Sequence, residues 1–369
     1  MLQSWIDAAR DKESFRYTSL QPLLALPFQP PPPTSLSIDK LPLITAADAP
    51  RQRLVFVDGV LRPEMGLAQQ LPLNLITGNA ETGYALQLSA ETCLALAPLE
   101  VVLISGVYAQ PTTTHVALDV HLGRSARLTL IEHHITLGDG APHAFSLHKN
   151  IHLAEHAKLV HARLQNFQPQ HYHLSELNVQ VAAHGFYHFI GLNTGAALMR
   201  HNVTITLQGD DAQTEVQSLQ LLRGPQHADV NIHIQHNAPR TTSRQNIKTV
   251  AAERSKGVFA GKIGIAPHAQ QSQGYQLSRG LMLSGQAEIV AKPELEIFAD
   301  DVKCSHGSTI GQLDDTALFY LRSRGLPLAV ARQLLVRAFV QEMVDTLPVD
   351  ALRQHITTQL ENWLGGLHG

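Results

Sequence analysis

Cys304 and His306 stand two residues apart in the run Ile297-Phe298-Ala299-Asp300-Asp301-Val302-Lys303-Cys304-Ser305-His306-Gly307-Ser308-Thr309. The stretch has strand-like composition, and in a strand residues i and i+2 project from the same face. A thiolate and an imidazole would then point together, a pairing suited to a soft metal or a sulfur species. The chain has only one other cysteine, Cys93, with no motif around it. Cys93 reads as a small buried hydrophobe. Asp300 and Asp301 read as the end of the preceding strand.

Histidine is the outlier of the composition, at 21 residues, most of them between His115 and His236. Net charge should therefore swing positive as pH falls through about 6.5. The plain reading is that most of them are polar surface residues compatible with strands. His148/His152, His152/His156 and His184/His188 have His-x-x-x-His spacing, but in strand and turn such residues lie about 13 Å apart, too far for one ion. His171-Tyr172-His173 has strand spacing that could share an ion, in a stretch that reads as a polar loop. The chain has no Gly-x4-Gly-Lys-Ser/Thr loop, no Gly-x-Ser-x-Gly elbow and no Cys-x-x-Cys. It therefore carries no ATPase, hydrolase-elbow, zinc-ribbon or self-sufficient cluster signature.

The elements that must position these residues span 369 residues, enough for two or three domains or one elongated repeat body. Hydrophobic content of 44 % and charged content of 16 % are those of a soluble globular chain. A net charge of −3 argues against a nucleic-acid partner. There is no membrane-length apolar run and no secretory signal pattern. Two cysteines make no disulfide framework, which fits a reducing, cytoplasmic setting.

Three regions are expected: 1–95, 96–312 and 313–369. In the first, Leu2, Trp5, Ile6 and Ala9 recur at helical spacing, and Pro30 to Pro33 read as a stiff linker. Residues 53–61 read as two short strands around the Asp58-Gly59 turn, and residues 90–99 as a short helix. From about 100 to 312, short strands follow one another with period-two alternation. Val203, Ile205 and Leu207 alternate with polar neighbours, as do Val230, Ile232 and Ile234. Small residues before strands recur at Ala126, Ala157, Gly185, Ala212, Gly257 and Ala287, mostly 27 to 31 apart, with one longer gap that hides a rung. That period favours a stacked β-solenoid over a β-sandwich.

The last region is helical. Asp314 or Asp315 caps a helix that Gly325 stops, and Pro327 opens the next. Val336, Phe339, Val340, Met343 and Leu347 form one stripe, and Leu328, Ala331 and Leu335 another. Val349, Leu352, Ile356, Leu360 and Trp363 stripe a third helix.

Residues 235–347 carry a resemblance. The segments are Asn237-Ala238-Pro239-Arg240-Thr241-Thr242-Ser243-Arg244-Gln245-Asn246-Ile247-Lys248 and Gly257-Val258-Phe259-Ala260-Gly261-Lys262-Ile263, then Ala269-Gln270, Leu281-Met282-Leu283-Ser284 and Lys292-Pro293-Glu294-Leu295-Glu296-Ile297. The block from Ala299 to Gly311 and the run Leu318-Phe319-Tyr320-Leu321-Arg322-Ser323-Arg324-Gly325 follow. Together they resemble the SufD branch of the SufB/SufD family, scaffold subunits of the SUF iron–sulfur cluster assembly machinery. SufB-type chains carry more cysteines and lack the Cys-Ser-His-Gly block in this form.

The resemblance implies a mainly β fold: a short N-terminal helical region, a right-handed parallel β-helix core and a C-terminal helical domain. It implies a non-catalytic subunit that pairs with its SufB paralogue and binds the SufC ATPase through the C-terminal helices. Cys304 and His306 would lie at the paralogue interface and hold a nascent iron–sulfur cluster or its iron. Arg324, Gly325, Leu326 and Pro327 would form the helix joint that meets the ATPase. Flavin binding and the homodimeric state of the isolated chain are left open. The alternative is an enzyme, a metal-dependent β-helix lyase or hydrolase acting on polysaccharide.

Overall fold

The computed structural model describes residues 5, 7–9, 13–32, 52–65, 75–96 and 98–367. Leu2, Ile6 and Pro33 of the expected N-terminal features lie outside the described residues.

The body is a parallel β-solenoid whose successive strands alternate between two sheets. One sheet contains β1 (Gln52–Val57), β5 (Leu99–Ser105), β7 (Arg127–Thr136), β9 (Lys158–Phe167), β11 (Phe186–Gly195), β13 (Gln213–Leu222), β15 (Thr242–Ala251), β17 (Gln273–Met282) and β19 (Lys303–Gln312). The other contains β4 (Gly83–Leu88), β6 (Thr112–Leu122), β8 (His143–Leu153), β10 (Tyr172–Val181), β12 (Leu198–Leu207), β14 (His227–His236), β16 (Lys256–Ile265) and β18 (Glu288–Ile297). The short strands β2 (Val60–Leu61) and β3 (Ile76–Asn79) pair antiparallel with β1 and β4 at the first end. Each strand pairs in parallel with the strand one coil on, so each coil stacks on the last. The β-sandwich alternative is thereby excluded.

Alternation puts Leu177, Val179 and Val181 inside, beside their register partners Val203, Ile205 and Leu207. These columns continue from coil to coil as the main apolar core. Cys93, on the short helix α2 (Ala90–Leu96), is buried in that core.

The coil corners repeat. Ser125, His156, His184, Asp211, Arg240 and Gln271 all take positive φ, and each amide bonds a carbonyl of the next coil, as His184 N does to Asp210 O at 2.9 Å. The residue after each is small and buried: Ala126, Ala157, Gly185, Ala212, Thr241 and Ser272. Thr241 fills the rung missing from the sequence period, its hydroxyl 2.8 Å from that of Ser272. Gly257 and Ala287 belong to the other sheet, at the starts of β16 and β18.

Helices α3 (Asp315–Ser323), α4 (Leu328–Val344) and α5 (Asp350–Gly365) follow β19. Asp314 caps α3 through Thr316 N and Ala317 N. Gly325, at φ +90°, ends it with the Leu326 N to Leu321 O and Gly325 N to Arg322 O bonds of a Schellman closure. Val336, Val340, Met343, Leu352, Ile356 and Leu360 pack on the outer face of the larger sheet, against Ile190, Leu192, Leu219 and Leu221. Lys248 anchors α4 there: its Nζ donates to the Phe339 carbonyl and lies 2.9 Å from Glu342.

The N-terminal segment lies on the outside of the other sheet. Trp5, Leu20 and Leu23, the last on helix α1 (Gln21–Leu24), cluster with Ala144, Tyr172, Leu174 and Leu198. Among the described residues no helix is long and apolar enough to cross a membrane.

Candidate functional site at the open end of the solenoid

Cys304 and His306 sit on β19, the last strand of the larger sheet. One edge of β19 pairs with β17, placing Gly274 opposite Cys304 and Gln276 opposite His306. Among the described residues no strand covers the other edge, nor that of β18. No residue of either strand is fully buried, whereas β16 and β17 just before them hold several that are.

The thiol faces inward. Cys304 packs on the small apolar cluster of Ile263, Ile265, Ala269 and Ala299. Burial pushes its thiol pKa up, and the Gly274 backbone N–H opposes that shift. His306 is exposed, one strand step of about 7 Å further along the same face. The protein therefore presents a thiol and an imidazole on the rim of an unclosed coil. A bound metal ion would lower the thiol pKa again, since metal ligation and deprotonation are coupled. Asp300 and Asp301 are exposed at the turn before β19, consistent with a strand-ending role. Cys93 is held as a neutral thiol, its pKa raised by burial to about 11.

The joint after α3 is exposed. Arg324 lies over the Tyr320 ring, 5.3 Å from its centroid, and Gly325 has nothing within 4 Å of where a Cβ would stand. Beside it Phe319, Tyr320, Leu328, Val330 and Leu334 expose apolar surface.

Nine of the histidines depart from the surface expectation. His133, His134, His143, His161, His171, His173, His188, His201 and His236 are all buried. His171 and His173 do not form a shared site. His171 Nδ1 accepts the His143 backbone N–H at 2.9 Å, while His173 bonds His134 at 3.1 Å inside the coil. Among the described residues no three His, Cys, Asp or Glu side chains converge on one ion.

What the sequence did not locate is a polar file inside the solenoid. Tyr187 meets His161 at 2.8 Å, His161 and His134 flank Glu132 at 3.2 and 3.4 Å, and Lys149 contacts the same carboxylate. Arg163, fully buried, donates to Ser175 at 2.9 Å, and burial lowers its pKa to about 9. Towards the open end, Gln245 and Gln276 share one register column with His306. Both side-chain amides are buried and without hydrogen-bond partners among the described residues. The available signal was the placing of Glu132, His134 and Arg163 in phase with the apolar positions of their strands.

The fold is thus a parallel β-solenoid with a thiol and an imidazole on the last strand of its larger sheet. The SUF system FeS cluster assembly, SufBD core domain, matches residues 106–339. The iron–sulfur cluster assembly SufBD family protein slr0076 of Synechocystis is 30 % identical over 384 residues, covering 93 % of this chain and 84 % of that protein. The iron–sulfur cluster assembly protein SufD of Escherichia coli is 34 % identical over 256 residues, covering 69 % and 60 %. The chloroplastic protein ABCI7 of Arabidopsis thaliana is 36 % identical over 214 residues, covering 58 % and 44 %. The chain thus spans less than two thirds of the latter two proteins. It belongs to the SufBD family of iron–sulfur cluster assembly proteins and is of the SufD type.

Proposed function

We propose that the chain is a non-catalytic scaffold subunit on which a nascent iron–sulfur cluster, the cargo, is built. In this reading Cys304 and His306 supply two ligands, and a SufB-type paralogue docked on the β18/β19 rim supplies the rest. Thiolate and imidazole are both good iron ligands. A site divided between two subunits releases its cargo more readily than a closed four-ligand site. The observation that carries the reading is the position of both side chains on the last coil, which no strand covers among the described residues. In the same reading the exposed apolar surface around Arg324, Gly325, Leu326 and Pro327 docks a SufC-type ATPase.

The test is co-expression with SufB- and SufC-type partners. All three chains should co-purify, and Cys304→Ser and His306→Ala complexes should form but load less iron and acid-labile sulfide. Arg324→Glu should weaken retention of the ATPase and leave the paralogue bound. Wild-type cluster loading by both rim variants would refute the ligand role.

A further inference from the structure

Two pairs of histidines stack ring on ring across adjacent coils, far from the rim. His121 on β6 and His152 on β8 are register partners, with ring centroids 4.6 Å apart and planes 7° apart. His156 and His184, at successive corners, stack at 4.7 Å and also 7°. The ring nitrogens of the two pairs meet different surroundings. In the corner pair, His156 Nε2 lies 3.3 Å from Glu155, and His184 Nδ1 lies 3.8 Å from Asp211. In the strand pair, His152 Nδ1 lies 3.0 Å from the Gln180 side-chain oxygen, and among the described residues no carboxylate forms an ion pair with either ring. His121 has no hydrogen-bond partner among the described residues.

That arrangement resembles a prepared ligand pair. With Nδ1–H of His152 donating to the Gln180 carbonyl, the tautomer is fixed and the Nε2 lone pair is left bare. This is how metal-bound histidines are commonly oriented. The unbonded His121 ring is free to turn about its soft terminal torsion. The ring centroids are 4.6 Å apart, and a turn that brings one nitrogen of each ring to about 3 Å from the other gives the bite that two bonds of about 2.0–2.1 Å require. Both rings line an open cleft of about 670 Å³ together with Gln87, Ser89, Thr92 and Gln180. Asp119 stands two residues before His121 on the same face, held at 2.8 Å by Asn150.

We propose that His121 and His152 form a bidentate docking site for a divalent transition-metal ion of the imidazole-preferring class, with water completing the coordination. Since no three such side chains converge among the described residues, the protein supplies two ligands. β8 lies five strand steps from β18, about 24 Å at 4.8 Å per step. The site is therefore separate from the Cys304/His306 rim, and it does not rest on the cluster reading.

The probe is zinc alone, titrated into the intact chain at neutral pH. Zinc should protect His121 and His152 from diethyl pyrocarbonate, read peptide by peptide by mass spectrometry. His121→Ala and His152→Ala should each weaken the corresponding calorimetric binding step at least tenfold. Gln180→Ala should weaken it about tenfold by releasing the His152 ring. His156→Ala and His184→Ala should leave that step unchanged. Unaltered modification of His121 and His152 at saturating zinc would overturn the proposal. So would equal losses in the corner variants, because the ion would then be reading histidine content and not this pair. All these side chains are at least partly exposed, and matching thermal unfolding curves check that each variant is folded.

Discussion

Gly274 lies directly across the ladder from Cys304, and a Cβ built on it would stand 3.5 Å from the Cys304 Sγ. The missing side chain is what leaves the thiol room on the inner face. The same Cβ would come 3.1 Å from Ile263 Cγ2. Ile263 must give by a few tenths of an ångström, so Gly274→Ala should cost about 1 kcal/mol, at the low end of overpacking changes. Gly274→Val adds two methyl groups towards the sulfur, and should cost more and turn the thiol outward. The check is the rate of Cys304 modification by a disulfide reagent in native protein, with Cys93 as the buried internal reference. Equal rates in wild type and Gly274→Val would mean that Gly274 does not set the thiol position.

The uncovered rim predicts where a charge will do most harm. Ile310 on β19 is 42 % exposed, on the same inward-facing side of the strand as Cys304 and His306. Lysine on an open edge blocks strand addition by a second chain, because docking would bury its charge. Ile310→Lys should leave the isolated chain within about 0.5 kcal/mol of wild-type stability, as for other surface changes. It should weaken association with a SufB-type paralogue at least tenfold, measured by sedimentation. Unchanged association would place the contact somewhere other than this rim.

Much of this end of the molecule was legible in the sequence. Period-two alternation at Val203, Ile205 and Leu207 marked strands with one apolar face, and small corner residues marked the coil length. Asp314, Gly325 and the apolar stripes located the C-terminal helices. The interior polar file was not legible, for a physical reason. Alternation says which residues share a face, but it labels a polar face as outside. In β7 the inward positions run Leu128, Leu130, Glu132, His134, so phase places the last two inside while their polarity argues for the surface. Lys149 and Arg163 are misread in the same way. What makes them tolerable inside is mutual pairing across coils, which only the register of β7, β8, β9 and β10 reveals.

The buried histidines make stability steeply dependent on acid. Burial lowers the pKa of His143 to about 3 and of His236 to about 4, and holds His134, His161, His173 and His201 well below the ordinary value. Above pH 6.5 these rings are neutral in both folded and unfolded chains, so they contribute no pH dependence. Between 6.5 and about 4 the unfolded chain takes up protons that the folded chain refuses, so stability falls as pH falls. At pH 5 a fully buried ring in this class costs about 2 kcal/mol. A few such rings offset a typical net stability of about 5–15 kcal/mol. Denaturant midpoints should therefore drop sharply between pH 7 and pH 5. His236→Gln should remove nearly one proton from the slope, although His236 bonds Thr241 and Ser243 at 2.7 and 2.8 Å, so the variant starts less stable at pH 7. A flat profile from pH 7 to pH 5 would contradict the buried neutral rings.

Asp229 ties the N-terminal segment to the solenoid wall, and its removal gives a prediction of a different kind. The buried guanidinium of Arg200 donates to the Asp229 carboxylate and to the Ser14 carbonyl, and it lies 3.9 Å above the Phe15 ring. Thr18 donates to the same carboxylate, and Asn231 donates to its other oxygen at 2.8 Å. Asp229→Ala removes the buried carboxylate that Arg200, Thr18 and Asn231 share, a change that costs about 3–5 kcal/mol in comparable buried pairs. The loss should be local in part, because residues 13–20 are held by this cluster and the small apolar contact of Leu20 and Leu23. Trypsin should then cut after the exposed Arg16 faster than it cuts anywhere in the solenoid. Asp229→Asn keeps the shape and an acceptor for Thr18 but loses the charge, so it should fall between wild type and alanine. If asparagine proves as stable as aspartate, the carboxylate charge is not what balances Arg200, and the strap is held by hydrogen-bond geometry alone.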